Sequence, residues 1–525
     1  MMRRPQEIKV RPGARKSAAT SIAAPIGGLN ARDSVANMAS SDATLMENWF
    51  PKTTSVDVRL GYTAWSTFTG ICQTILVYTG VTSTSVYSCV KDGGTYSIFN
   101  STSSGAVGAA VVGGGGATVE ALTSTRFDYV MFGTSGGLFL TAVNGANNPL
   151  QYDGTTWTVS GVSGGTPADY FTVGVYGHRM WYGVNNSLRV RYGAIDAIAG
   201  ATTAYELGPL FKLGGYLNSI ITLTDQNNAG LADYIAFLSS EGEIVAFTGS
   251  DPSAAATWSL SAHFRIGRPV IKGNRSWVKW GTDAAVLCAD GVYPLRKAIQ
   301  ANSGSGGLTI TDKIRNLLSG DLALYGAKYG WQVIVHPTGA KMIVNVPTNE
   351  DLASYQYVMN TETGSWTKYT GWTAFCFEVA RDTLYAGWNG KMVKADTGFD
   401  DAGTLITADV RQAYNYFGQR GITKHMKLLR PIMASDGAYS LGVYVNVDYK
   451  DVTPTYLRPV GSGGGDPWGG IWDAVWSGSV VADLKWVGVN GVGKAIAPRI
   501  KIQTNGTIVS WSATDTVYEL GGILA

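Results

Sequence analysis

Five basic residues fall within twenty positions and have no acid among them: Arg411, Arg420, Lys424, Lys427 and Arg430. Lysine and arginine at this density can hold a phosphate backbone without reading sequence, or can face an acidic protein surface. The five are therefore candidate contacts to DNA or to a partner ring. A second basic stretch opens the chain, where Arg3, Arg4, Lys9, Arg11, Arg15 and Lys16 outnumber Glu7. Residues 1–26 read as a basic arm that is solvated, or that orders on a partner.

The other chemistry-bearing patterns fall short of sites. Gly488, Gly491, Gly493 and Lys494 have the spacing of a phosphate-binding loop, but Ala495 stands where the metal-binding hydroxyl belongs. Pro498 would also stop the helix that such a loop must open, so the segment reads as strand–turn–strand. Gln151–Trp157 is close to the aspartate box of propeller glycosidases, but lacks its serine and has the wrong spacing from Asp153 to Trp157. His178, His263, His336 and His425 are isolated in sequence, with no metal-ligand spacing. Cys72, Cys89, Cys288 and Cys376 form no CxxC pair, and three have apolar neighbours, as buried free thiols on strands do. No catalytic, cofactor or metal constellation emerges, and the expectation is a protein that is not an enzyme.

The elements that must carry these residues are strands. Glycine numbers 67 of 525 residues, aromatics make up 11% and charged residues only 15%, with a net charge of +3. Such a chain is too apolar and too weakly charged for disorder, and its residue types favour β-structure with tight turns. No run of about eighteen apolar residues exists to span a membrane.

Seven apolar hairpins recur along the chain: Ile75–Tyr78 with Val86–Cys89, Tyr129–Phe132 with Leu138–Ala142, Arg179–Tyr182 with Leu188–Tyr192, Tyr234–Leu238 with Ile244–Phe247, Ala285–Ala289 with Val292–Leu295, Met342–Val346 with Tyr355–Met359, and Leu384–Ala386 with Met392–Ala395. Their starts lie 54, 50, 55, 51, 57 and 42 residues apart. A propeller blade takes ~40–50 residues, so the spacing predicts a β-propeller of about seven blades, with six to eight allowed. Trp157, Trp258 and Trp366 each follow a turn and are expected to pack between blades. Thr311–Ser319 reads as a short helix capped by Thr311, with Ile314, Leu317 and Leu318 on one face. The propeller is expected over residues 27–400. Longer strands after it predict a β-sandwich-like platform domain over 401–525.

One string of residues carries a resemblance. Gly27-Gly28-Leu29-Asn30-Ala31-Arg32-Asp33 is followed by Met38, Asp42-Ala43, Asn48-Trp49-Phe50-Pro51 and Val58-Arg59-Leu60-Gly61-Tyr62. Near the other end stand Pro498–Gly506, Trp511 and Tyr518-Glu519-Leu520-Gly521-Gly522. The two strings resemble the start and end of tail proteins of short-tailed bacteriophages (podoviruses), known as tail nozzles, tail tubular protein B-like proteins or packaged-DNA stabilisation proteins.

The resemblance implies a propeller joined to a platform and nozzle. It further implies a homo-hexameric ring below the portal and the head-to-tail adaptor ring. That ring would extend the DNA channel, retain the packaged genome and conduct it during ejection. Double-stranded DNA would pass through the lumen without sequence-specific contact, and tail fibre or needle proteins would be further partners. The protein would be assembled in the host bacterial cytoplasm and reside in the virion tail. At 525 residues the chain is short for that family, so nozzle elaborations are expected to be reduced. The competing expectation is a glycan- or receptor-binding propeller of the tail, with Trp157, Trp181, Trp258 and Trp366 as sugar platforms.

Overall fold

The computed structural model describes residues 17–115, 119–227, 230–296, 309–461, 481–483 and 485–521. Seven antiparallel sheets follow one another as blades. Blade 1 comprises the second half of Tyr62–Thr79 with Thr84–Asp92, Thr95–Asn100 and Val112–Gly113. Blades 2, 3 and 4 are four-stranded and run from Asp128 to Val159, Tyr170 to Glu206 and Leu217 to Arg265. Blade 5 has three strands between Trp277 and Pro294. Blade 6 runs from Gln332 to Tyr369. Blade 7 comprises Cys376–Ala380, Thr383–Gly387 and Asn389–Ala395, completed by the first half of Tyr62–Thr79.

That eighteen-residue strand closes the ring. Its start pairs with Asn389–Ala395 and its end with Thr84–Asp92, so the chain's two propeller termini are hydrogen-bonded into one another. The bend between the halves lies at Gly70, with φ +101°, where a Cβ would sit 2.5 Å from the Lys91 carbonyl oxygen.

An apolar cluster fills each gap between blades. Between blades 1 and 2 it contains Leu76, Tyr87, Leu140 and Trp157. Between 3 and 4 it contains Trp181, Phe237, Phe247 and Trp258. Between 7 and 1 it contains Cys72, Ile75, Cys376 and Met392. Trp157 packs 5.2 Å from Tyr87, and Trp258 stacks 5.6 Å from Trp181, so both seal inter-blade gaps as expected. Trp366 is fully buried elsewhere, in the core that blades 5 and 6 share with the second domain.

Each predicted hairpin falls in its own blade. The first two are a blade's first and second strands, and the other five are second and third strands. All four cysteines are buried and free, and all lie on strands.

The second domain is a sandwich. One sheet centres on Lys424–Ser435 and Val509–Leu520, the other on Ile406–Gln412, Ile496–Thr504 and Tyr439–Val447. Alternate side chains of Lys424–Ser435 turn inward, as a strand with one buried face requires. Trp49, Trp511, Met433, Leu441 and Ile500 fill the space between the sheets.

Strand pairing corrects two expectations, and the helical segment corrects a third. Residues 27–58 belong to the sandwich rather than the propeller: Asp42–Glu47 pairs with Ile406–Gln412, and Val56–Val58 with Val509–Leu520. Part of the supposed arm is a strand as well, since Ser17–Ala23 pairs with Val509–Leu520 over seven residues, whereas residues 1–16 lie outside the described residues. The helix is a 3-10 turn, Asp312–Ile314, running into Arg315–Tyr325, because Leu318, Leu322 and Tyr325 continue the apolar face beyond residue 319. Thr311 does not cap it. Its hydroxyl accepts the Val292 N–H at 3.0 Å, and Leu317 faces outward.

Candidate functional site

Two polar networks stand out: a seam between the domains and a plug across the propeller axis. The seam is built from the residues that carry the tail-protein resemblance. Asn48, at φ 59°, turns the chain out of Asp42–Glu47. Its amide donates to the Thr370 hydroxyl and the Thr407 carbonyl, both at 2.8 Å. Its oxygen accepts the Arg59 Nε–H at 2.9 Å and the Thr370 N–H at 2.8 Å.

Arg59 is 2% exposed. Its guanidinium grips Asp401 with two bonds of 2.8 and 2.6 Å, donates to the carbonyls of Leu60 and Thr370, and lies over the Trp372 ring. A forked, planar cation is what such a two-pronged carboxylate contact needs. The network joins the end of blade 6, the sandwich and the segment that links blade 7 to the sandwich.

The Gly27–Asp33 turn makes a second stitch. Asn30 donates to Asp33 at 2.8 Å and Asp42 at 2.7 Å, while Lys313 reaches Asp42 at 3.0 Å. Hydrogen bonds from Arg32 and Asn30 hold the Asp33 carboxyl down at about 2. Gly28 has φ +79°, and a Cβ there would sit 2.5 Å from the Trp366 carbonyl oxygen. The turn thus lies directly on the outer strand of blade 6.

The axial plug is a loop that sequence periodicity does not reveal. Residues 271–276, between blades 4 and 5, cross the centre of the propeller. Gly273 donates to Asn218 of blade 4, and Asn274 N–H to the Asp128 carboxylate of blade 2. Arg275, 8% exposed, donates to the carbonyls of Phe375 and Gln73 and the Thr74 hydroxyl, and lies 4.7 Å from the Tyr329 ring. One arginine therefore ties blade 1 to the approaches of blades 6 and 7.

Burial lifts the Asp128 carboxyl to about 6, against the Asn274 N–H, which favours the anion. Burial likewise lifts Glu378, on the leading strand of blade 7, to about 7. An acid whose folded pKa is raised stabilises the fold when protonated. That contribution is present at low pH and is lost as pH rises from about 4.5 through about 7. Glu378 keeps some accessible surface, so its effect is discounted to about 1–2 kcal/mol. Between pH 5 and pH 8, Glu378→Gln is expected to flatten the fall in urea-unfolding stability by that amount. A variant with the wild-type slope would contradict the assignment.

The basic cluster does not form one surface. Lys424 is fully buried, and its ammonium donates to the carbonyls of Gln419, Ile422 and Lys494 at 2.6, 3.0 and 3.0 Å. It cannot face DNA or an adaptor, because strand alternation sends it inward beside Met426. Arg411 pairs with Asp451 at 3.0 Å, Lys427 with Glu519 at 3.6 Å and Arg430 with Asp515 at 2.6 Å. Arg420 caps the Ala36 carbonyl at 3.1 Å and covers Tyr416. Replacing Lys424 by methionine is expected to cost about 2–4 kcal/mol in chemical unfolding, since three carbonyls lose a charged donor. Loss of DNA retention without loss of stability would contradict this placement.

The remaining candidates have structural duties. Asp153 closes its own turn, accepting the N–H groups of Thr155 and Thr156 at 2.7 Å. Gly488–Gly493 lies on a strand, and the Asp448 carboxylate accepts the Lys494 and Ala495 N–H groups at 2.9 Å, where a phosphate would have to sit. His336 lies 3.3 Å from Asp396 and His263 3.4 Å from Glu243, far apart in the fold. Among the described residues no group of three metal-ligating side chains converges. No helix among them is long and apolar enough to cross a membrane.

No family model and no curated protein matches the chain. Among solved structures, it is similar to the computationally designed Ika8 protein, with TM-score 0.34 and 10% identity over 62% of this chain and 83% of that one. It is similar to BBS1N, solved in complex with ARL6DN, with TM-score 0.38 and 11% identity over 64% and 98%. It is also similar to a glycoside hydrolase family 43 arabinoxylan arabinofuranohydrolase from Bacillus subtilis, with TM-score 0.26 and 11% identity over 87% and 96%. At these scores the likenesses carry no argument.

Proposed function

We propose that this chain is a structural component of the tail of a short-tailed phage, a nozzle protein rather than an enzyme. Six copies form a ring below the portal and adaptor, retain the packaged genome and conduct it at ejection. The observation that carries the reading is where the resembling residues lie. Strings from opposite ends of the sequence fold into one sandwich, and Asn48, Arg59 and the Gly27–Asp33 turn fasten that sandwich to the propeller. A motif spent on holding two domains at a fixed angle suits a part that must transmit load and keep a bore open.

The plug adds a constraint: DNA does not run along the propeller's own axis, which Arg275 crosses. The channel is the lumen enclosed by the ring of copies. Tyr444, Tyr449, Val452, Tyr456 and Val492 are exposed on the sandwich of a single chain, and burial against a neighbouring copy or the adaptor would suit them. A ring of this kind is built from one heterologous contact repeated until it closes. Quantitative mass spectrometry of purified virions of the encoding phage is expected to find six copies per particle. Absence of the chain from virions would contradict the proposal.

A further inference from the structure

Two of the four thiols face each other where the propeller ring closes. Cys72 lies just past the bend at Gly70, on the inner strand of blade 1, and Cys376 opens Cys376–Ala380, the inner strand of blade 7. Both are buried, and their sulfurs are 3.9 Å apart. Cys376 Sγ also stands 3.5 Å from the Cys72 carbonyl oxygen, so it meets the backbone of its neighbour as well as the side chain. Cys89 and Cys288 pack in other gaps, between blades 1 and 2 and between blades 4 and 5.

The surroundings hold the pair in this position. Gly387 is the residue opposite Cys376, and the next carbonyl, that of Trp388, accepts the Cys72 N–H at 3.1 Å. A Cβ at Gly387 would sit 2.6 Å from each sulfur, so glycine there gives the two room to meet. Arg275 donates to the carbonyls of Gln73 and Phe375, the chain neighbours of the two cysteines, and so fixes the two strands at this register. Burial pushes the Cys72 thiol well up. Burial acts on Cys376 too, but the Cys72 S–H and the Arg275 guanidinium outweigh it and bring Cys376 below the ordinary thiol value. Cys376 is therefore the thiol of the pair that ionises first.

We propose that Cys72 and Cys376 form a redox latch, a disulfide that closes the propeller ring covalently when the protein meets a peroxide. Hydrogen peroxide is little larger than water. The Cys376 thiolate attacks one of its oxygens: an S–O bond forms, the O–O bond breaks, and the departing hydroxide takes up the Cys376 proton as water. The Cys72 sulfur then attacks the sulfenic acid sulfur. The S–S bond forms, the S–O bond breaks, and a second water leaves with the Cys72 proton. Two thiols are oxidised and one peroxide is reduced to two waters. The sulfurs must close from 3.9 Å to about 2 Å. Without the bond, blade 7 is held to the start of the ring by the pairing of Asn389–Ala395 with Tyr62–Thr79 and by packing. With it, a loop of about 300 residues is closed, which in the chain-entropy model is among the more stabilising cross-links. The pair lies within one chain, so this inference does not depend on ring assembly.

Thiol counting on the full chain tests it. The native protein is treated with hydrogen peroxide, then unfolded in guanidinium with N-ethylmaleimide and weighed. Four adducts are expected before oxidation, two after it, and four again after dithiothreitol, with peptide mapping joining Cys72 to Cys376. The oxidised form is expected to raise the urea midpoint by about 0.5 M. Cys376→Ala is expected to keep its three thiols under the same treatment. If that variant fails to fold, the peptide map of the wild-type chain decides. Four free thiols after oxidation, a loss that dithiothreitol does not reverse, a bridge to Cys89, or an unchanged midpoint would each overturn the latch.

Discussion

Arg59→Ala is expected to destabilise the protein by about 3–5 kcal/mol, the range for breaking a buried ion pair from one side. The substitution strands Asp401, 7% exposed, without its cation, and takes one of two donors from the Asn48 oxygen and a donor from each of two carbonyls. Arg59→Lys should recover only part of the loss, since an ammonium cannot bond both carboxylate oxygens and Asn48 together. The double change Arg59→Met with Asp401→Leu should cost less than Arg59→Ala, because no charge is then left buried. Urea unfolding of the four proteins checks the order. A near-neutral Arg59→Ala would mean that the seam does not hold the domains together.

Arg275→Met is expected to cost about 3 kcal/mol at pH 7.5 and clearly less at pH 5.5. The arginine satisfies two carbonyls and a hydroxyl near the axis, and its charge also lowers the pKa of Asp128 and Glu378. Without it, both folded pKa values rise further, so the ionised carboxyls weigh more heavily at high pH. At low pH both are protonated in either protein and that part of the loss disappears. Equal destabilisation at the two pH values would show that Arg275 acts through packing alone.

The ring of blades was legible because one short apolar hairpin per blade, closed by a tight turn, recurs along the chain. The leading strands were harder. Tyr170–Tyr176 is buried on both faces, so it shows no period of two. Ser17–Ala23 carries little strand signal because its residues are small or polar, and its partner Val509–Leu520 lies almost the whole chain away. The plug left no trace in periodicity: Asn274-Arg275-Ser276 is a single 3-10 turn whose partners come from four other places in the sequence. The inward turn of Lys424 is legible in the basic cluster itself. Lys424 and Met426 are two apart on one strand, which puts both on the core face.

In the proposed role, copies of this chain close into a six-fold ring. The solution mass of the purified protein, measured by sedimentation equilibrium alone and with its adaptor ring, tests it most directly. The expected mass is about 334 kDa, six times the 55.7 kDa chain, for the protein alone or as its share of the complex with the adaptor ring. A chain that remains a monomer or trimer and ignores the ring would contradict it.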